Sequence, residues 1–407
     1  MADVYMPHDE AQLADLVRSA NADRYPIEIC GFRSKRAAGR PLKPSAVVSA
    51  MRLSGITLYE PGELVISAKA GTAVHEIEAA LARRNQELAF EPPDYSRIYG
   101  QEVLAASLGA IVAMNLSGAR RILRGAARDH LIGIRAINGE GTAIKSGGRV
   151  MKNVTGVDLV RGLSGSWGTL AVFTELTFKV LPRAPESRSI VFLGLADEAA
   201  VGVMSAAMGT PYEISGTIHL HGPLADRLNS GDLGPANTAI TALRLEGVPQ
   251  SLAYRIEKLR KELAPFGEAY EIDHQRSRDF WAAVRSLSFL SAEFDRPLWR
   301  ITTAPSKAAL IVRALSPFFE VNAAYEWSGG LLWLELPPSS DASATEVRRV
   351  LAEFEADSML MRAPAQVRES IEVFHPLSFS KMKIIRALKA AFDPAGVLNP
   401  GRMYAGV

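Results

Sequence analysis

Between Ala105 and Pro182 the chain reverses direction too often to run as a plain succession of long helices and strands. Ser107-Leu108-Gly109, Asn115-Leu116-Ser117-Gly118, Gly125, Arg128-Asp129, Gly147-Gly148 and Gly165-Ser166-Trp167-Gly168-Thr169-Leu170 set small and hydrogen-bonding residues at repeated turns. Glycine reaches φ > 0 and carries no Cβ, so such backbone comes close to a ligand, and N–H groups in consecutive turns form concavities that hold anions. A large, flat, charged ligand with a pyrophosphate suits this stretch. Any one glycine alone reads as an ordinary turn.

The segments before it supply strands and one more loop of that kind. Asp9 caps a helix with an apolar face of Leu13, Leu16 and Val17, and Pro26–Cys30 reads as a short strand. Gly31-Phe32-Arg33-Ser34-Lys35-Arg36 then places a glycine, a hydroxyl and three cations between strands, which suits a phosphate or, taken alone, a solvated basic turn. Val47–Ala50, Ile56–Tyr59 and Leu64–Ala68 read as strands, and Val74, Ile77 and Leu81 mark an amphipathic helix. Glu91-Pro92-Pro93-Asp94 forces an extended entry into the turn-rich region. Leu131–Ile137 and Ala143–Ile144 flank the hairpin signal Asn138-Gly139-Glu140-Gly141, and Val172–Val180 is one more strand. No Gly-x-Gly-x-x-Gly fingerprint follows a strand and no Walker-type loop is present, so ordinary Rossmann and P-loop readings fail.

Beyond Pro185 the texture is a regular alternation. Ser189–Leu195, Glu198–Met208, Tyr212–Leu220, Ala239–Glu246, Leu252–Leu263 and Ala269–Ile272 make β-α-β-β-α-β. Leu298–Thr303, Lys307–Leu315, Phe319–Trp327, Leu331–Leu336, Ala344–Glu355 and Ser358–Arg362 repeat that order, with Ser328-Gly329-Gly330 as a hairpin turn. Two such units side by side predict one antiparallel sheet with helices on one face and the other face free to cover something. Ile384–Phe392 is a final helix, halted by Asp393-Pro394-Ala395-Gly396 and followed by a turn-rich tail carrying Asn399.

Charge and cysteine content narrow the function. The 46 basic and 44 acidic residues leave a net charge of +2, with no basic field for nucleic acid or anionic lipid. No apolar run approaches the ~20 residues of a membrane helix and no secretory signal is expected, which points to the cytoplasm. The 407 residues exceed one ordinary core, so two or three domains are expected. Cys30 is the lone cysteine, so the chain holds no internal disulfide and no iron–sulfur cluster of its own, and Cys30 reads as a buried small hydrophobe.

Pro26–Arg40, Pro61–Ile77, Glu91–Asp94, Ala105–Gly133, Gly147–Leu163, Gly165–Pro182 and Asp393–Tyr404 resemble the FAD-binding domain and C-terminal tail of vanillyl-alcohol-oxidase-type (PCMH-type) flavoproteins. Phe280–Arg285, Pro297–Arg300, Glu326–Gly330, Arg362–Pro364 and Asn399–Tyr404 resemble, within that superfamily, the E-subunit family of bacterial glycolate oxidases. The resemblance implies an α+β fold. A two-subdomain FAD-binding domain would span 1–185, a cap built from ferredoxin-like β-α-β-β-α-β units 186–383, and a helix and tail returning to the FAD domain 384–407. FAD would lie between the two subdomains, with the cap sheet over the isoalloxazine ring. Gly31, Phe32, Arg33, Ser34 and Lys35 and the turn Ser107, Leu108, Gly109, Ala110 would bind the pyrophosphate through backbone amides. Asn115, Ser117, Gly118, Gly125 and Asp129 would shape the flavin cavity, Gly165, Gly168 and Val172 would pack near the nucleotide, and Asn399 would contact the flavin.

The chain also departs from that pattern. The first loop is poorer in glycine than usual, and Ala110, Ile111 and Ala171 stand where glycine, asparagine and glycine are common, so weaker flavin affinity or a reshaped loop is expected. No histidine sits in the first loop, which implies non-covalent FAD. The histidine-rich metal motif of the sister D subunits has no counterpart. His219 and His221 share a strand face without an acidic or third histidine partner nearby in sequence and His375 is isolated, so all three read as packed or solvated and no metal is expected. A 2-hydroxy acid needs a cation for its carboxylate and a base for its hydroxyl proton. Arg285 and Arg300, each close to a tryptophan, are the carboxylate candidates, against the alternative that both merely tie the helix and strand to acidic neighbours; no base stands out. The resemblance implies oxidation of glycolate to glyoxylate in a complex with a D-type FAD subunit and an iron–sulfur F-type subunit, in the cytoplasm or peripherally at the inner membrane. The alternatives are a non-catalytic or electron-relay assembly subunit and a stand-alone FAD-dependent 2-hydroxy-acid dehydrogenase.

Overall fold

The computed structural model describes residues 2–101, 106–148, 157–228 and 233–407; Ala105 and residues 149–156, which belong to two of the stretches above, lie outside them. The chain begins with β1 (Asp3–Tyr5) and α1 (Glu10–Asp23), where Asp9 Oδ1 accepts from the Gln12 amide at 2.8 Å. α1 buries Leu13, Ala14, Val17 and Ala20. It leads into β2 (Ile27–Cys30) and β3 (Ala46–Ser49), and β3 lies between β1 and β2, parallel to both.

A second layer follows. β4 (Ile56–Glu60) and β5 (Val65–Lys69) form a hairpin, then α2 (Val74–Ala82) and the short β6 (Gln86–Glu87). Short helices α3 (Leu108–Met114), α4 (Arg121–Arg124) and α5 (Ala127–His130) occupy the turn-rich region, where turn residues stop each one within two turns. β7 (Leu131–Asn138), β8 (Ala143–Gly147), α6 (Leu159–Leu163), β9 (Ala171–Lys179) and β10 (Leu181–Pro182) complete it. The antiparallel sheet runs β4-β5-β9-β7-β8, and β10 pairs with β6.

The remaining strands make one eight-stranded antiparallel sheet. The first unit is β11 (Glu186–Leu193), α7 (Asp197–Met208), β12 (Ile214–Leu220), α8 (Gly222–Asp226), β13 (Ile240–Gly247), α9 (Pro249–Leu263) and β14 (Ala269–Ile272). α10 (His274–Arg285) leads to the second: β15 (Leu298–Thr302), α11 (Pro305–Leu315), β16 (Asn322–Glu326), β17 (Leu331–Glu335), α12 (Ala344–Phe354) and β18 (Asp357–Arg362). The order β14-β11-β13-β12-β16-β17-β15-β18 places the two units back to back, seamed where His219 pairs with Tyr325. Period-2 alternation sorts the side chains. Ala323, Tyr325, Leu332, Leu334, Trp299 and Ile301 pack with the helices, while Ala324, Leu331, Trp333 and Leu298 pack toward the N-terminal half.

After α13 (Ala365–Ser370), α14 (Phe379–Phe392) starts five residues before the expected Ile384, because Ser378 caps it by accepting from the Lys381 amide at 3.4 Å. The tail then returns to β2: Leu398 bridges Ile27 in parallel and the Asn399 amide donates to the Ile27 carbonyl at 3.0 Å. Among the described residues no helix is long and apolar enough to cross a membrane.

Candidate functional site

A cleft of about 860 Å³, counted out to open solvent, lies between the loop after β2, the start of α3, the Trp167-Gly168 turn, β9 and the tail. Gly31, Phe32, Arg33, Ser34, Lys35, Ser107, Gly109, Ala110, Gly168, Val172 and Asn399 line it. Arg33 is left-handed (φ 63), and the loop closes through the Arg36 amide on the Arg33 carbonyl at 3.2 Å. A Cβ on Gly31 would sit 2.2 Å from Ser107 Oγ and one on Gly168 2.8 Å from Asn399 Nδ2, so the walls meet only because both residues are glycine. Asn399, itself left-handed (φ 43), clamps the floor: Oδ1 accepts from the Ile29 amide at 2.8 Å and Nδ2 donates to the Trp167 carbonyl at 2.8 Å.

One expected contact is corrected. The Leu108 amide donates to the Thr72 carbonyl at 2.9 Å and the Gly109 amide to the Ala70 carbonyl at 2.7 Å, so neither is spare for a pyrophosphate, and the Leu108 side chain lies in the core. The cause is packing, for α3 docks on the end of β5. A Cβ on Gly109 would stand 3.0 Å from Ala70, so this glycine serves that docking. Asn115, Ser117, Gly118, Gly125, Asp129 and Gly165 are not among the lining residues; they lock the turns behind it. Asn115 Oδ1 accepts from the Arg128 amide at 3.1 Å, Ser117 Oγ from Ala127 at 2.9 Å and Asp129 Oδ2 from Ala126 at 2.8 Å, beside the left-handed Gly125. The Gly165 amide donates to the Val112 carbonyl at 3.0 Å, and the Gly118 carbonyl accepts from Trp327 Nε1 at 3.1 Å.

Lys35 is almost fully covered, with Nζ 3.7 Å from Asp94 Oδ1, and burial lowers its pKa against the pull of that carboxylate. Burial pushes the Cys30 thiol up to about 11, so at neutral pH it is a protonated lining residue and no nucleophile.

A second group of polar residues gathers between the cap sheet and the N-terminal half. Glu326 ends β16 fully inside, Oε1 accepting from Trp333 Nε1 at 2.8 Å. Burial pushes its carboxyl up to about 7, against the Trp333 hydrogen bond and the positive charge of Arg300. The Tyr95 ring meets Trp333 edge-on at 5.6 Å, and burial raises its hydroxyl to about 12 with Arg300 opposing. The guanidinium groups of Arg300 and Arg121 lie 5.3 Å and 4.6 Å from the Trp327 ring centre. Trp327 (φ 54) and Ser328 (φ 59) are consecutive left-handed residues, a strained turn held by the Ser328 amide on Thr217 Oγ1 at 2.7 Å. Cations, a carboxyl poised near neutrality and aromatic walls together can bind an anion and accept a proton.

Of the two arginine candidates, the fold brings only Arg300 here. Arg285 Nη2 donates to Glu78 Oε1 at 2.5 Å and Nε to the Pro92 carbonyl at 2.9 Å, so it ties α10 to α2 beside a separate cavity. Sequence reasoning missed Glu326 and Tyr95. The parity of β16, with an acid on the same face as buried Ala324, was the available signal. His375 pairs with Asp357 at 3.4 Å on the surface, whereas His219 and His221 do have an acidic partner, Asp197, contributed by the start of α7.

Residues 2–147 match the model of an FAD binding domain family. Over 396 residues, 97% of this chain and 97% of the relative, the sequence is 33% identical to glycolate oxidase subunit GlcE of Escherichia coli (strain K12). It is 22% identical to glycolate oxidase subunit GlcD of Bacillus subtilis (strain 168) over 429 residues, 99% of this chain and 88% of the relative. An alkyldihydroxyacetonephosphate synthase structure superposes with TM-score 0.71 at 14% identity, covering 98% of this chain and 75% of that one. A 4-ethylphenol oxidase from Gulosibacter chungangensis does so with TM-score 0.69 at 14% identity, covering 99% and 89%. These two likenesses establish a shared fold.

Proposed function

The chain belongs to the family of glycolate oxidase subunit GlcE, an FAD-linked oxidoreductase family, and from that premise we propose that it oxidises a small 2-hydroxy acid, glycolate first, to the 2-oxo acid. The cleft fits FAD: glycines let its walls meet, Arg33 turns the first loop into a left-handed bend, and four cations, Arg33, Lys35, Arg36 and Arg402, line it for a diphosphate. Gly31, Phe32, Arg33, Ser34 and Lys35 would hold the diphosphate, Gly168 and Val172 would flank the nucleotide, and Asn399 would fix the loop that carries them. The loop offers no histidine for a covalent link. When bound, FAD supplies the acceptor for the hydride and its electrons.

The observation that carries the reading is the meeting of Arg300, Tyr95 and Glu326 on the face of the cap turned to the N-terminal half. Arg300, with Arg121 beside the same Trp327 ring, receives the substrate carboxylate. Glu326 as carboxylate takes the hydroxyl proton, and its raised pKa makes it a stronger base than an exposed glutamate. Tyr95, Trp327 and Trp333 keep water away. The relatives are named as subunits, which supports assembly with a D-type flavoprotein; Cys30 alone ligates no cluster, so electrons leave through another protein, for which we propose an iron–sulfur subunit, or through oxygen.

Anaerobic addition of glycolate or D-lactate to the FAD-loaded chain tests this. Bleaching of the flavin, slowed at least ~100-fold in Glu326→Gln and lost in Arg300→Ala but retained in Arg285→Ala, is the expected result. Flavin that stays oxidised with either acid, alone and with the D-type subunit, overturns it; bleaching that needs that subunit assigns this chain the electron-relay role.

A further inference from the structure

On the opposite side of the cap sheet from that cluster, two histidines and one aspartate converge. Asp197, the first residue of α7, directs Oδ1 at His221 Nε2 (2.9 Å) and His219 Nε2 (3.3 Å). The donor atoms of the three residues all lie within 4.8 Å of one another. We propose that Asp197, His219 and His221 bind a divalent transition-metal ion, zinc in the first instance, that fastens α7 to the end of β12 beside the joint between the two units.

Four features argue for an ion over a plain hydrogen-bond network. Both imidazoles aim the same nitrogen, Nε2, at the same carboxylate oxygen, so an ion at bond lengths of ~2.0–2.2 Å replaces the bridging protons with little side-chain movement. The rear nitrogen of His219 is anchored, Nδ1 on Thr241 Oγ1 at 2.8 Å, the arrangement that orients metal-binding imidazoles, and His221 Nδ1 is held between the Val321 carbonyl and the Ala323 amide, each at 3.3 Å. The second carboxylate oxygen is occupied, since Tyr325 Oη donates to Asp197 Oδ2 at 2.7 Å, which leaves a single oxygen for the metal. The rim is open: the His221 and Asp197 side chains are 22% and 21% exposed while His219 is fully buried, so an ion enters from solvent and keeps a water as its fourth ligand.

The donor set selects the metal. Two imidazoles and one carboxylate suit borderline ions and not calcium or magnesium, which take oxygen. The position sets the role. All three ligands belong to the first unit, so the ion fastens α7 to the end of β12, while Tyr325 and Val321 of the second unit brace two of those ligands, Asp197 and His221, across the seam. The site lies across the sheet from Glu326, and the inference stands apart from the proposed reaction.

The test uses the FAD-loaded chain, stripped with EDTA, desalted and titrated with zinc against a chromophoric chelator. One zinc per chain, bound at least ~100-fold more weakly in His221→Ala and Asp197→Asn and ~10-fold more weakly in Tyr325→Phe, is the expected result. Cobalt should give a four-coordinate visible band in the red, beyond oxidised flavin, which both ligand variants lose while keeping their flavin absorption and circular dichroism. Failure of the unaltered chain to bind zinc stoichiometrically overturns the proposal without recourse to any variant, as does equal binding by folded His221→Ala.

Discussion

Glu326 joins stability and catalysis with opposite signs. Its folded pKa, about 7, lies above its ordinary 4.5, so between those values the folded chain holds a proton that the unfolded chain releases. The stability it contributes is complete below about pH 4.5 and is lost as pH rises through about 7. At ~1.4 kcal/mol per pKa unit, the loss amounts to about 3 kcal/mol. Urea unfolding at pH 5 and pH 8 should show that fall, and Glu326→Gln should flatten it. Catalysis needs the ionised form, so kcat should climb through the same interval and the climb should vanish in Glu326→Gln; a variant that keeps the rising limb removes Glu326 as base. Gly31 supports a simpler expectation. A Cβ there meets Ser107 Oγ at 2.2 Å, whereas one on Gly62 meets nothing within 4 Å. Gly31→Ala should therefore retain at least ~10-fold less FAD than Gly62→Ala, read as flavin absorbance per chain. The sequence makes Gly31 visible because its neighbours are loop residues and cations. It hides Glu326, whose meaning depends on Trp333 folding back from the next strand and Tyr95 arriving from a distant segment.

At the level of elements, the cap was the most readable part. Its strands are short apolar runs separated by helices with one apolar face, so the repeated β-α-β-β-α-β order follows from the spacing of those segments. The parallel sheet of β1, β2 and β3 was not readable, since strands of three or four residues do not announce partners and α1 decides which edges meet. The start of α14 was blurred because Phe379, Ile384 and Leu388 point outward and break the apolar stripe. That helix carries its own prediction. Lys389 is buried, pairs with Asp393 at 2.7 Å and donates to the Thr169 and Leu398 carbonyls at 2.8 and 2.7 Å. Lys389→Met strands a buried carboxylate and two carbonyls, and should cost ~3 kcal/mol in urea unfolding. Because the same tail positions Asn399, the variant should also lose flavin faster on dilution; unchanged flavin release would separate the tail from the cleft.

Across the whole molecule, the cap sits on the N-terminal half through charges that no local pattern reveals. Arg244 of β13 holds Glu91 at 2.7 Å, and Arg120 reaches Glu246 at 2.6 Å and Glu87 at 3.1 Å, partners separated by as many as 153 residues. These side chains are nearly buried, and Arg244 also covers the Trp281 ring at 4.5 Å. Burial drives the Glu87 carboxyl up against Arg120, while at Glu246 the two arginines outweigh burial and hold it down, so the network is tuned by both halves at once. Arg244→Met keeps the apolar cover over Trp281 but leaves Glu91 and Glu246 short of one cation, and should destabilise the chain by ~3–5 kcal/mol. A double-mutant cycle with Glu91→Gln should return a coupling of at least ~1 kcal/mol, since the second change removes the charge that the first left unpaired. Arg300 and Glu326 ride on the cap while Tyr95 belongs to the N-terminal half, so loosening this joint should raise KM for glycolate more than it lowers kcat. Additive losses would instead mean that the cap is held by Trp327 on the Gly118 carbonyl and Arg285 on Glu78, and that the buried charges set its angle without binding it.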